Sequence, residues 1–224
     1  MIELQNIEKS FPVRGRVLDG LSFAAAAGSS VAIAGPSGSG KTTLLNIIGM
    51  LERADSGSIL FEGNEITSLT GDAAAGFRHR NVGFIFQEHL LLPHLTIKEN
   101  IFLPFLAGGN ADAISDETEE HIAALAERTG ITGILNKYPF TVSGGEAQRA
   151  AFVRALANKP ALLLADEPTG SLDRKNADLL GELLAELNNE SGSTLIVVTH
   201  SERLASTMET IYELADGKLN RIKR

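Results

Sequence analysis

The chain has 224 residues, 43% of them hydrophobic, and is therefore long enough to bury one sizeable core, with or without a smaller subdomain. It contains no cysteine, which excludes disulfides and thiolate metal sites. Its formal net charge of −8 argues against wholesale electrostatic binding to nucleic acid or to anionic lipid.

The first third of the chain is predicted to contain short strands around a glycine-rich loop. Residues 2–7, 17–23, 57–61 and 82–86 carry apolar runs or alternate between apolar and polar side chains, a pattern typical of β-strands. The run SVAIA at Ser30–Ala34 has the composition of a buried strand.

The segment GPSGSGKT at residues 35–42 follows that strand. It fits the phosphate-loop pattern, in which glycine backbone amides approach an anion closely and the lysine reaches the terminal phosphates. Thr42 is placed to offer its hydroxyl to a magnesium ion, and residues 42–51 are predicted to continue as an apolar helix whose N-terminus favours negative charge. The predicted binding loop comprises Gly35, Pro36, Ser37, Gly38, Ser39, Gly40, Lys41, Thr42 and Thr43.

From residue 90 to residue 157 the pattern changes to helix. The clearest helix is predicted over residues 116–128, with Ser115 as its N-cap and Gly130 as its stop. The glycine-rich segment AGGNADA at residues 107–113 is predicted to separate pieces of this helical insertion.

The segment SGGE at residues 143–146 is predicted to open another helix, which stops near Pro160. Its free backbone amides could face an anion, as those of the first loop do. One phosphate chain needs only one main binding loop. A second anion-binding segment is therefore explained if it contacts the nucleotide bound by a neighbouring molecule. An ordinary serine-capped helix is the alternative, and this segment alone does not decide between them.

Residues 161–165 and 195–198 are purely apolar, as expected for strands buried on both faces of a parallel sheet. Asp166 and Glu167 follow the first of them and His200 follows the second, at the sheet edge where ligands collect. We expect Asp166 to hold magnesium, Glu167 to accept a proton from an attacking water, and His200 to contact the terminal phosphate.

The last part of the chain is predicted to hold a crossover helix and a hairpin. Asp216 and Gly217 are typical of a tight hairpin turn. One face of the crossover helix is predicted to bury Leu179, Leu180, Leu183, Leu184 and Leu187.

Together, the motifs GPSGSGKTT, GFIFQ, VSGGEAQR, LLLADEPTGSLD and VVTH resemble the motif set of ABC transporter nucleotide-binding subunits, over essentially the whole chain. The resemblance implies an α/β fold, that of a P-loop NTPase of the ABC ATPase type, with a mostly parallel core sheet, an N-terminal antiparallel β subdomain and an inserted α-helical subdomain. It implies a single nucleotide-binding domain over residues 1–224. Residues 1–88 and 158–224 would form the catalytic core with the β subdomain, and residues 89–157 the helical subdomain that carries the signature motif.

The same resemblance implies ATP and Mg²⁺ as ligands and an ATPase as the activity. Phe11 resembles the aromatic residue that stacks on adenine, and Asp173 resembles the aspartate that communicates across a dimer. Gln87 resembles the residue that links the metal site of Thr42 and Asp166 to the helical subdomain.

Glu167 and His200 resemble the catalytic base and the phosphate-contacting switch of the family. The residues Ser143, Gly144 and Gly145 resemble the signature that caps the terminal phosphate bound by the opposite protomer. The resemblance therefore implies a homodimer that sandwiches two ATP molecules head to tail.

Residues 77–104 and 158–188 are most similar to lipoprotein-releasing and MacB-type exporter ATPases, and also to an FtsE-like cell-division ATPase. This similarity implies an integral membrane permease as partner. The chain offers no run of roughly 18 apolar residues and no secretory signal at its N-terminus. We therefore expect a peripheral position on the cytoplasmic side of the inner membrane, with membrane contact through the permease.

Three other functions share parts of this motif set. A small-molecule kinase would have no use for SGGE, and a soluble ABC machine acting on DNA or ribosomes would usually show tandem cassettes, a coiled-coil insertion or a basic surface. We therefore expect no nucleic-acid partner. A cell-division role without a transported substrate uses the same ATPase residues and stays open.

Overall fold

The fold rests on two β-sheets, which a computed structural model describes together with the helices for residues 1–107 and 114–223. The strands are Ile2–Phe11 (β1), Gly15–Ala25 (β2), Ser30–Ala34 (β3), Ser56–Phe61 (β4), Asn64–Glu65 (β5), Val82–Ile85 (β6), Leu162–Asp166 (β7), Thr194–Val198 (β8), Thr210–Ala215 (β9) and Lys218–Lys223 (β10). The helices are Lys41–Ile48 (α1), Gly71–Asn81 (α2), Ile97–Ala107 (α3), Asp116–Arg128 (α4), Gly144–Leu156 (α5), Arg174–Ser191 (α6) and Glu202–Ser206 (α7). Short 3-10 helices at Thr132–Ile134 and Pro139–Thr141 precede α5.

The larger sheet has six strands in the order β10-β9-β3-β8-β7-β6. Its strands pair in parallel except for the hairpin of β9 and β10. The smaller sheet is antiparallel in the order β2-β1-β4-β5. Both predicted sheets are therefore confirmed, and the fold class is α/β.

Alternating side chains of the parallel strands pack into two separate apolar clusters. Leu162 and Leu164 of β7 belong to the cluster that contains α1, whereas Leu163 and Ala165 belong to the one that contains α5 and α6. A parallel sheet is buried on both faces because its crossover helices cover them, and this explains why β7 and β8 are nearly continuous apolar runs.

Local signals set the ends of several elements as predicted. The Ser115 hydroxyl accepts a hydrogen bond from the backbone N–H of Thr118 at 3.3 Å, and Gly130 takes a φ of 66° just after α4. Asp216 and Gly217 have φ of 50° and 74°, the left-handed pair that a two-residue hairpin turn requires. Of the predicted separator at residues 107–113, residues 108–113 lie outside the described residues.

Two predictions about helices were wrong. The helix after the phosphate loop ends at Ile48 rather than near residue 51, because Gly49 lies against the Phe84 ring and Met50 takes a left-handed φ of 58°. Leu179 is 52% exposed, since the apolar stripe of α6 runs through Leu180, Leu183, Leu184 and Leu187 and leaves Leu179 at its edge. None of the helices within the described ranges is both long enough and apolar enough to span a bilayer.

Candidate active site

The carboxyl ends of β3, β7 and β8 meet at one edge of the larger sheet and border an open cavity of about 660 Å³. This is the edge at which parallel α/β sheets bind their ligands. Residues far apart in the sequence line it, namely Arg14, Ser37, Gly38, Gly40, Lys41, Thr42, Thr43, Gln87, Asp166, Glu167 and His200. The fold thus brings most of the predicted site residues together, and adds Arg14, which the sequence motifs did not indicate.

The glycines of the loop at residues 35–40 occupy conformations that other residues rarely take. Gly35, Gly38 and Gly40 have φ of 150°, 81° and 105°. A Cβ on Gly35 would lie 2.5 Å from the carbonyl oxygen of Leu214, and one on Gly40 would lie 2.6 Å from the Val17 side chain. Gly35 and Gly40 are therefore required by space as well as by backbone conformation, whereas Gly38 is required by backbone conformation alone.

Lys41 is buried at the base of this loop, with 8% of its surface exposed. Its ammonium donates hydrogen bonds to the carbonyl oxygens of Gly35 at 2.8 Å and Pro36 at 3.0 Å. No carboxylate of the described residues lies within salt-bridge distance of it. The Ser39 hydroxyl is also buried, without a protein partner in the described part of the chain. A polar loop with uncompensated positive charge suits a phosphate ligand.

Asp166 stands at the end of β7 opposite the start of α1. Burial raises the pKa of its carboxyl, a hydrogen bond from Thr42 opposes the rise, and the charge of Glu167 adds to it. A buried carboxylate of this kind gains from a nearby cation. Thr42, Gln87 and Asp166 border the same cavity, and each carries a side-chain oxygen, the hard donor type that fits Mg²⁺.

Glu167 is the most tightly held acidic side chain in the cavity. Its Oε2 accepts hydrogen bonds from the Thr199 hydroxyl at 2.9 Å and from the backbone N–H of His200 at 3.2 Å. Its Oε1 lies 2.8 Å from Nδ1 of the His200 ring. The Glu167 side chain is 13% exposed, whereas that of His200 is 69% exposed. The carboxylate is thus held in place at the cavity wall, and an exposed imidazole ring lies against it.

The backbone around Glu167 is specialised as well. Glu167 takes a left-handed φ of 43°, which is uncommon for a residue other than glycine. Its N–H donates to the carbonyl oxygen of Val198 and its own carbonyl accepts from the N–H of Gly170, both at 2.9 Å. A tight turn through Pro168 to Gly170 therefore follows β7, and the Glu167 side chain lines the cavity.

The loop that carries Gln87 is held from both sides by α5. The Gln148 side-chain amide donates to the carbonyl oxygen of Phe86 at 2.8 Å. The Arg154 guanidinium donates to the carbonyl oxygens of His89 at 2.9 Å and Leu90 at 2.8 Å. The motif spacing did not indicate either contact, because nothing in the sequence pattern relates residues more than 60 positions apart.

Phe11, Ser143, Gly144, Gly145 and Asp173 do not line the cavity. Ser143 is the N-cap of α5, and its hydroxyl accepts from the N–H of Glu146 at 3.3 Å while its own N–H donates to the Glu146 carboxylate at 2.8 Å. Within one chain, Ser143 therefore makes the contacts of an ordinary capping box. These backbone and side-chain hydrogen bonds from Ser143 hold the pKa of Glu146 below its usual range.

Asp173 is the N-cap of α6 and accepts a hydrogen bond from the N–H of Asn176 at 3.0 Å. Asn176 in turn accepts one from Arg149 of α5 at 3.3 Å, so the starts of α5 and α6 are linked. Phe11 lies at the end of β1, where the Lys9 ammonium is 5.2 Å from the centre of its ring.

Comparison with known proteins shows the family of this chain. The family model described as ABC transporter matches residues 18–170. The chain belongs to the ABC transporter family, and it is an ATP-binding subunit of the ATPase class.

Individual relatives cover nearly the whole chain. The lipoprotein-releasing system ATP-binding protein LolD 1 of Rhodopirellula baltica is 43% identical over 224 residues, which cover 99% of this chain and 96% of the relative. The macrolide export ATP-binding/permease protein MacB of Syntrophobacter fumaroxidans is 41% identical over 221 residues, which cover 97% of this chain and 31% of that protein. The dimeric ATP-binding cassette MJ0796, in a post-hydrolysis state with ADP and Pi, matches with a TM-score of 0.90 and 36% identity, covering 100% and 98% of the two chains.

Proposed function

We propose that this ATPase drives a separate integral membrane permease in lipoprotein release or MacB-type export. The similarity to LolD 1 over 96% of that protein supports the subfamily. The observation that carries the chemistry is the meeting of Lys41, Asp166, Glu167 and His200 in one cavity. In this proposal residues 1–88 and 158–224 form the catalytic core and residues 89–157 the helical subdomain.

Most of these side chains have a role that their position supports. The Lys41 ammonium and the loop amides bind the β- and γ-phosphates. Phe11 lies outside the cavity lining, at the end of β1, and is assigned to the adenine by its resemblance to the stacking aromatic residue of the family. Thr42, Asp166 and Gln87 would hold Mg²⁺, which neutralises charge on the phosphate oxygens when bound.

Glu167 accepts a proton from water as the water oxygen attacks the γ-phosphorus in line, and the bond to the leaving ADP oxygen breaks. His200 turns its ring toward the transferred phosphoryl group and stabilises the charge that develops there. The three hydrogen bonds that hold Glu167 support its role as base, because a base must be positioned before the water arrives.

A second copy completes each site in this proposal. The amides at the start of α5 lie outside the cavity of their own chain, whereas helix N-termini favour anions. Ser143, Gly144 and Gly145 of one protomer would therefore cap the γ-phosphate bound by the partner, with Asp173 near the interface. The dimeric state of the related MJ0796 cassette supports a head-to-tail homodimer.

An apolar groove of about 430 Å³ supports the permease contact. Phe84, Phe86, Leu103 and Pro104 line it, and Arg154 reaches it from α5. Phe86 belongs to the loop around Gln87, and Arg154 donates a hydrogen bond to the same loop. A movement of that loop would therefore displace a permease segment bound in this groove. The chain would then lie on the cytoplasmic face of the inner membrane through its partner.

The experiment on the chemistry is Glu167→Gln in the full chain. We expect ATP binding to persist, hydrolysis to fall by at least about 100-fold, and ATP to trap a dimer that size-exclusion chromatography detects. A variant that hydrolyses ATP at the normal rate would overturn the assignment of the base.

Affinity capture from detergent extracts tests the partner separately. An exporter-type permease is expected. Capture of a division-site membrane protein would replace the transport function by an FtsE-like one, and capture of nucleic acid would contradict the membrane assignment.

A further inference from the structure

We propose that Thr199 is the positioning residue that keeps the Glu167 carboxylate aligned for proton transfer throughout the catalytic cycle. The inference rests on the proposed role of Glu167 as the base. It assigns a measurable function to Thr199, a residue of the VVTH motif to which the sequence pattern assigned no role.

Thr199 is rigidly built into the fold. It is completely buried, and its N–H donates to the carbonyl oxygen of Ile33 at 3.1 Å. Ile33 belongs to β3, the strand that leads into the phosphate loop. The Thr199 hydroxyl is therefore fixed relative to the phosphate-binding loop, since β3 and β8 are neighbouring parallel strands.

The direction of the Thr199 hydrogen bond is determined by its neighbours. The hydroxyl oxygen accepts a hydrogen bond from the N–H of Ser201 at 3.0 Å. A hydroxyl has one proton to donate, and Glu167 Oε2 lies 2.9 Å away. An ionised carboxylate only accepts hydrogen bonds, so the Thr199 proton points to Glu167. Such a charge-assisted hydrogen bond is stronger than a neutral one.

Thr199 and His200 hold the two carboxylate oxygens in different ways. The His200 ring contacts Oε1 and is 69% exposed in its side chain, so it has room to turn once that contact breaks. The donors to Oε2 are a buried hydroxyl and a backbone N–H of the two residues that directly follow β8, and they have less freedom to move than an exposed ring. When the ring turns toward the phosphate, Oε2 stays anchored and Oε1 becomes available to accept the proton of water.

Removal of the Thr199 hydroxyl is therefore expected to slow the chemical step and to have little effect on nucleotide binding. Thr199→Val removes the hydroxyl and conserves the shape of the side chain. With the backbone donor still present, we expect kcat for ATP to fall by roughly 10-fold, a partial loss of the kind that imperfect positioning causes. We expect the KM for ATP to stay within about twofold, because Thr199 does not line the cavity.

The experiment compares Thr199→Val with Thr199→Ser in the full chain, using steady-state ATP hydrolysis, binding of a fluorescent ATP analogue and thermal unfolding. Thr199→Ser restores the hydroxyl, so it is expected to keep kcat near that of the wild type. An unchanged kcat in Thr199→Val overturns the proposal. So does an equal loss in both variants, because that would follow from packing. If Thr199→Val does not fold, Thr199→Ala replaces it, and the expected result is again a lower kcat with a nearly unchanged KM.

Parallel measurement of Glu167→Gln separates this inference from the proposed function. If Glu167→Gln hydrolyses normally, the base itself is wrongly assigned. If Glu167→Gln is inactive and the folded valine variant is fully active, only the role of Thr199 fails. The double variant of Glu167→Gln and Thr199→Val is expected to be no slower than Glu167→Gln alone, because Thr199 acts through Glu167.

Discussion

The side-chain amide of Gln148 donates a 2.8 Å hydrogen bond to the carbonyl oxygen of Phe86, the residue directly before Gln87. Gln148 is only 1% exposed and lies on α5, whose first turn carries the signature residues. One helix therefore joins the loop at the cavity to the residues that we propose to contact the partner's nucleotide. A shift of Gln87 on nucleotide binding would be passed to α5 without an intermediate loop.

Gln148→Leu tests this link. The substitution leaves the Phe86 carbonyl without its donor in a partly buried place, which costs up to about 1–3 kcal/mol of unfolding free energy, and we expect denaturant unfolding to show that loss. We also expect a lower rate of ATP hydrolysis, since Gln87 is no longer held. Substitution of the exposed Gln5 by Leu is the control. Normal hydrolysis in Gln148→Leu would show that the hydrogen bond serves stability alone.

Gly35→Ala tests the steric requirement of the phosphate loop. The new Cβ would lie 2.5 Å from the Leu214 carbonyl oxygen, so the loop must shift and ATP binding should be lost by isothermal titration calorimetry. We expect a stability loss of about 1–3 kcal/mol from the forced backbone conformation. Gly133→Ala adds a Cβ in open space and is expected to leave both properties unchanged. An affinity for ATP equal to that of the wild type in Gly35→Ala would contradict the proposed role of this loop in binding phosphate.

Gly144→Arg tests the contribution of one protomer to the other's site. No atom lies within 4 Å of a Cβ added at Gly144, so the new side chain starts in open space and we expect the single chain to keep its ability to bind ATP. At a closed dimer interface the same side chain would collide with the partner. In the Glu167→Gln background we expect ATP-dependent dimerisation to disappear in sedimentation velocity, and Gly133→Arg to leave it intact. Persistence of the dimer in Gly144→Arg would exclude the proposed head-to-tail arrangement.

Asp166→Asn tests the destabilisation of the folded chain by the buried carboxylate that we propose to hold Mg²⁺. Burial raises the pKa of Asp166 in the folded chain, so the folded state holds this proton more tightly than the unfolded state does. Stability from this group is therefore lost as pH rises from the unfolded pKa through the folded one. Asp166→Asn removes the buried charge, and we expect a higher Tm than that of the wild type at pH 7, together with loss of hydrolysis.

The difference in Tm between Asp166→Asn and the wild type should become smaller as pH falls through the folded-state pKa of Asp166, because the wild-type carboxyl is then neutral as well. Asp173→Asn serves as a control of opposite sign, because hydrogen bonds from the Asn176 backbone and side chain lower the pKa of Asp173. A lower Tm for Asp166→Asn at neutral pH would contradict the burial argument.

Local patterns in the sequence were sufficient for most of the architecture. The buried strand, glycine loop and helix around Lys41, the capped helix at Asp116–Arg128 and the turn at Asp216 and Gly217 all follow from residues a few positions apart. Periodicity, capping and turn preferences act over such distances. The motifs also predicted most of the residues that line the cavity, because parallel strands deliver their C-terminal residues to one edge.

Tertiary structure alone decided how those residues are held and which apolar residues reach solvent. The hydrogen bond from Thr199 to Glu167 and the contacts of Arg154 with residues 89 and 90 join segments 32 to 65 positions apart. The exposure of Leu179 depends on how α6 lies on the sheet. No local pattern encodes such contacts, since they arise when strands and helices that fold by nearby preferences are packed together and their remaining polar groups must find partners.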